Sequence, residues 1–171
     1  HRLLQGQPTV YEAGPAAADT QAPDALRHTD EVVALKTGKV DAIVTDEPVA
    51  RNMQAEDDSL VSIPELLDSQ EYAFALGKSE RGEALCAELS EYLRGLWDDG
   101  TIETLQNKWF DRGDLSSVEI LDYRELPDVN GTVRLAAFQY PPFILQNGEL
   151  LCGYEIELIA MFCRDWGYAL E

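Results

Sequence analysis

Apolar residues recur along this chain at two different periods, and the alternation between them predicts its elements. From Ser79 onward Leu85, Leu89, Leu93, Leu96 and Trp97 share one face of a long helix, which Gly100 ends. Thr101 stands where it can cap a second helix, whose Ile102, Leu105, Trp109 and Phe110 again fall on one side, so the pair reads as helix, tight turn and helix. A third amphipathic helix covers residues 153–167, with Ile156, Ile159, Ala160 and Cys163 on its apolar face. A shorter one starts at Thr29 or Asp30 and runs to Lys36, with Val32, Val33 and Leu35 apolar and Gly38 as its stop.

Between these lie shorter, more continuous apolar runs. Residues 40–45, with Val40, Ala42, Ile43 and Val44, predict a strand covered on both faces, and Asp46-Glu47-Pro48 opens a helix directly after it, the strand-to-helix unit of an α/β fold. Residues 60–63 and 72–76 predict two more strands, the second of them buried, and residues 9–12 a further short one before the Ala, Gly and Pro rich loop 14–23. Apolar density falls over 111–130, where Gly113, Pro127 and Asn130-Gly131 mark a boundary. The pattern then restarts: a strand over 133–138, a non-helical Tyr140-Pro141-Pro142-Phe143, a tight turn at Asn147-Gly148, and a strand beginning at 168–171.

Composition narrows the function classes. With 171 residues, 45% apolar and 26% charged, the chain is globular in type, and its longest apolar stretches fall short of the roughly 20 residues that span a bilayer. It opens on His1 without a charged segment and apolar core, which reads as a piece of something longer. A net charge of −19 repels phosphate backbones, so nucleic acid is not an expected partner. Cys86, Cys152 and Cys163 lack the paired spacing of a zinc or redox motif; Cys86 and Cys163 are expected as buried small hydrophobes.

Enzyme signatures are sparse. There is no G-x-S-x-G, no H-E-x-x-H and no phosphate-binding glycine loop, and the two histidines, His1 and His28, fall in sequence of little regular pattern. The acidic runs Glu56-Asp57-Asp58 and Asp98-Asp99 lack the alternate spacing of a calcium loop. No catalytic residue, metal site or cofactor is therefore assigned.

The order of elements carries more. Glu31-Val32-Val33-Ala34-Leu35-Lys36-Thr37-Gly38-Lys39-Val40-Asp41-Ala42-Ile43-Val44-Thr45-Asp46 is similar to the "aL-x-x-G-x-v-D-a-v-x-x-D" segment of polar-amino-acid-binding, glutamine-binding-protein-like solute receptors. Asp98-Asp99-Gly100-Thr101-Ile102 through Lys108-Trp109-Phe110 resembles that family's closing "dGt...i...kwf". Phe138-Gln139-Tyr140-Pro141-Pro142-Phe143 and the run from Gly148 to Ile159 resemble the way the same family begins. An end thus precedes a beginning. The expected organisation is residues 1–112 as the C-terminal part of a first solute-binding module, 113–131 as linker, and 132–171 as the start of a second; one circularly permuted module gives the same order.

The resemblance implies an α/β fold of the periplasmic-binding-protein type II, a mixed sheet flanked by helices, with both modules incomplete. It further implies two lobes closing on an amino acid, the ammonium held by a carboxylate, the carboxylate by arginine and the side chain by aromatics. Asp46 matches the ammonium-holding carboxylate, where a desolvated cation needs an ionised partner; plain sequence alone favours a helix N-cap ahead of Pro48, and the resemblance reverses that preference. Tyr140 matches the aromatic against the ligand, with Gln139 beside it, and Thr45 is a further candidate; Tyr140 also reads as a packed turn residue. The family's arginine segment, "S-x-P-Y" strand and "G-[ST]-[TS]" helix start have no counterpart here, so the chain alone is expected to bind no amino acid tightly.

The function expected from this resemblance is extracytoplasmic solute binding, in the periplasm or outside the cell and membrane-associated through a longer protein. Its partner is an ABC permease, for uptake, or a fused signalling domain in the sensor alternative. Self-association through open sheet edges is a third expectation. A dehydratase on the same fold needs a general acid, for which Glu47 beside Asp46 is the nearest candidate.

Overall fold

A computed structural model describes residues 28–63, 72–111 and 115–171. The predicted strand 9–12 and loop 14–23 lie outside the described residues. The chain divides into two compact units, His1–Ile43 and Val44–Glu171.

The described part of the first unit is helix α1, His28–Lys36, and the turn after it. His28 therefore opens a helix rather than lying in irregular sequence. Gly38 is the predicted stop, and the geometry shows why: at φ 70° it lets Lys39 N donate to Ala34 O at 2.9 Å while its own N donates to Leu35 O at 3.1 Å. These two bonds satisfy carbonyls that the helix leaves open, at a backbone angle glycine adopts without penalty. Val32 and Leu35 are half-buried, but Val33 is exposed.

The second unit is organised around helix α5, Tyr154–Trp166. Its Ile156, Ile159, Ala160 and Cys163 are buried as the periodicity predicts, and Leu158 and Phe162 widen that face. On one side Ile159, Ala160, Phe162 and Cys163 meet Leu89 of helix α3 (Glu80–Asp98) and the parallel strand pair β1 (Thr132–Val133) and β4 (Ala169–Leu170). On another, Leu158 meets Leu96 of α3 with Ile102 and Leu105 of helix α4 (Thr101–Phe110). A strand, a helix and a parallel strand make one α/β unit, and the α3–α4 pair covers it. The antiparallel hairpin β2 (Leu145–Asn147) and β3 (Leu150–Cys152) turns at the predicted place and leads into α5. Helix α2, Glu47–Glu56, carries Pro48 in its first turn and buries Val49 and Met53.

Local expectations fail in instructive places. Ser79 caps α3 by accepting from Gly82 N, but α4 is capped at Gly100; Thr101 is its first helical residue, and Asp99 Oδ1 accepts the Thr101 N–H at 2.9 Å. Trp97 is 63% exposed, beyond the edge of the α3 apolar face. Cys86 is exposed, whereas Cys152 and Cys163 are buried.

The largest difference concerns strands. Residues 40–45, 60–63 and 72–76 form no strand among the described residues, and Val44, Val61 and Tyr72 are 80%, 87% and 54% exposed. Phe74, half-buried against α3 and α5, behaves more as the pattern predicts, and Ile43, Leu60 and Leu76 are half-buried too. The sheets among the described residues are accordingly two-stranded, and what is established is a mixed α/β unit with small sheets flanked by helices. Beyond the 3₁₀ turn Leu115–Ser117, Val118 is buried with Trp109 and Cys152, so this part of the expected linker contributes to the core.

Candidate functional site

The site forms where the start of α2, the turn before β2 and the segment after residue 71 converge. Asp46 is the residue before α2, at extended φ −65° and ψ 143°, and its side chain makes no cap bond to the helix. Asp46 thus holds the N-cap position, its carbonyl accepting from Ala50 N at 2.9 Å, but its carboxylate is engaged elsewhere. Tyr140 Oη donates to Asp46 Oδ2 at 2.6 Å, across 94 positions of sequence. The Tyr72 phenol is near enough to Asp46 to feel its carboxylate, and Thr45 stands next to the Tyr140 hydroxyl in the same way.

Rings surround these bonds. Tyr140 stacks on the buried Phe143 at 5.8 Å between centroids and 10° between planes, and Tyr72 lies 5.1 Å from the same ring. Phe110, at the end of α4, is 5.1 Å from Phe143 and 4.8 Å from Tyr154. Local backbone fixes this arrangement: Tyr140 N donates to Ile144 O at 2.7 Å across a turn with a cis Pro141–Pro142 bond, which returns Phe143 beneath Tyr140. Glu155 N then donates to Phe143 O at 3.1 Å, so the first turn of α5 is placed beside the ring cluster.

Electrostatics follow from the geometry. Desolvation, followed by the neighbouring Asp46 carboxylate, raises the phenol pKa values of Tyr72 and Tyr140, with Thr45 opposing the rise at Tyr140. Both phenols stay protonated throughout the physiological range. Burial raises the Glu155 carboxyl pKa, and this carboxylate acts electrostatically on Tyr72 together with Asp46. Arg51, in the next turn of α2, pairs with Glu47 and with Asp111 at 3.1 Å; Lys108 pairs with Glu157 at 2.7 Å. Cations on α2 and α4 are thus engaged with acids of their own.

Of the residues singled out in the sequence, Asp46, Thr45 and Tyr140 come together. Gln139 does not join them by any described contact; its Nε2 donates to Gln146 Oε1 at 2.9 Å, toward β2. Tyr72 carries no signal of this place in the sequence, where its segment has the composition of a buried strand. Phe143 and Glu155 lay within the quoted segments, but neither periodicity nor spacing distinguishes them from packing or surface residues. Among the described residues no group of three or more His, Cys, Asp or Glu is arranged to hold a metal ion, and no helix is long and apolar enough to cross a membrane.

Comparison with family models, with curated proteins and with solved structures finds no match to this chain. The resemblance to amino-acid receptors rests on the quoted residues alone.

Proposed function

We propose that the chain belongs to an extracytoplasmic solute receptor that binds an amino acid by its ammonium group, in the service of ABC-type uptake. The observation that carries this reading is the 2.6 Å bond between Tyr140 and Asp46. These two residues lie in different segments, one resembling the family's interior and one resembling its opening. A carboxylate held by a phenol and bordered by aromatic faces suits a desolvated ammonium, which gains a charge-assisted hydrogen bond from the one and cation–π attraction from the others.

The same contact favours a single site made by both segments, as in a circularly permuted module of the type II binding fold, over two separate half-sites in tandem. A sensor ectodomain is the second reading, since uptake and sensing use the same recognition. The dehydratase reading loses support, because Glu47, its candidate acid, is engaged with Arg51.

A thermal-shift panel of the common amino acids on the chain and on Asp46→Asn tests the proposal. A ligand at a hundredfold its dissociation constant adds about 2.7 kcal/mol of stability. The expected result is a rise in midpoint with at least one amino acid at millimolar concentration, absent in Asp46→Asn; no shift in either protein overturns it.

A further inference from the structure

The Asp46 cluster has a chemical bias beyond the presence of an ammonium partner. Its described groups are one carboxylate bonded to the Tyr140 phenol, a second carboxylate on the first turn of α5, and the rings of Tyr72, Tyr140, Phe143, Phe110 and Tyr154. The basic side chains of α2 and α4, Arg51 and Lys108, are committed to Glu47, Asp111 and Glu157. A zwitterion's carboxylate brought to this cluster meets Asp46 and Glu155 and the field of a chain carrying −19, with repulsion as the net term. A cation meets carboxylates and ring faces.

We propose that this cluster recognises organic cations by the ammonium alone, so that a primary alkylamine without any carboxylate binds at least as well as an amino acid, and that Tyr72 is a ligand-facing residue of the site. This rests on the reading of Asp46 as an ammonium partner. Tyr72 is suited to the role by two properties: its ring lies against Phe143, and more than half of its surface, 54%, is exposed to an incoming cation. A tyrosine whose ring is already packed on one side has less rotamer freedom left to lose on binding.

The test is an NMR titration of the full chain with butylammonium chloride and, separately, with glutamine, at matched ionic strength. The ring resonances of Tyr72 and Tyr140 report the site, and those of Tyr92, which is bonded to Asp165, serve as a control for diffuse charge effects. The expected result is saturable butylammonium shifts at Tyr72 and Tyr140 but not Tyr92, an affinity no weaker than that of glutamine, and about a tenfold loss in Asp46→Asn. Tyr72→Leu, which removes ring and hydroxyl, weakens butylammonium by a similar factor, while Tyr72→Phe retains part of the affinity through its ring. Glutamine binding tenfold tighter than butylammonium at the same resonances overturns the inference and leaves the amino-acid reading standing. Saturation by neither ligand overturns both. Unchanged butylammonium affinity in Tyr72→Leu overturns the role of Tyr72.

Discussion

The Trp109 indole N–H donates to Glu157 Oε2 at 2.6 Å, while the other oxygen of the same carboxylate accepts from Lys108 Nζ at 2.7 Å. This single acid fastens the end of α4 to α5, and it does so where little water reaches, with Trp109 1% and the Glu157 side chain 12% exposed. Removing it leaves an indole donor and an ammonium without their acceptor. Glu157→Ala is expected to cost about 2–3 kcal/mol in urea unfolding, and Glu157→Gln, which keeps an acceptor, less. Asp122→Asn is the contrasting case: its partner Arg124 holds the Asp122 carboxyl down to about 2, yet both side chains are about half exposed, so no measurable loss is expected.

Two carboxyls on α5 respond to pH in opposite directions. Burial raises the Glu155 pKa in the folded state, so its ionised form opposes folding, and protonation relieves the penalty. Glu155→Gln is therefore expected to melt above the wild type at pH 7, with a difference that shrinks as the pH is lowered and is gone below the ordinary value of 4.5. Asp165 is held low by Arg164, with a further contribution from Tyr92, so its contribution is present above 3.8 and lost as the pH falls through its folded value. Asp165→Asn is expected to melt below the wild type at pH 7 and to converge with it in acid. Melting curves of the three proteins between pH 3 and 7 check both signs.

Thiol reactivity should separate the cysteines. Cys163 is fully buried, and burial pushes its thiol up to about 11, while Cys152 is 3% exposed and shifted in the same direction, mainly by burial. Cys86 is exposed on α3. In native protein at pH 8 an aromatic disulfide reagent is expected to modify Cys86 promptly and the other two only on the timescale of unfolding, whereas in denaturant all three react.

Helices were the legible part of this fold. A helix makes its own backbone hydrogen bonds, so Leu89, Leu96, Ile102, Leu105 and Trp109 at the right spacing suffice to place α3 and α4 on their buried faces. Strands need partners, and no run of residues states what it pairs with: Val40, Val44, Val61 and Ile63 have the composition of strands but lie exposed in segments that form none. Strands β1 and β4 pair because the α5 crossover between them lays Leu170 beside Val133. At the candidate site, Asp46 and Tyr140 were legible through the resemblance of their segments. Tyr72 was not, because its place comes from a ring set on Phe143 beside Asp46, which leaves no period in the sequence.

The central claim, that Asp46 and Tyr140 form one ammonium-binding unit, is tested most directly by a double-mutant cycle. It compares the wild type, Asp46→Asn, Tyr140→Phe and the double variant, each titrated calorimetrically with the amino acid that gives the largest thermal shift. The account predicts that each single change weakens binding, with Asp46→Asn the larger at about tenfold or more. It also predicts that the double variant loses less than the sum, because the two side chains share one hydrogen bond. Single variants that bind as the wild type does would contradict it.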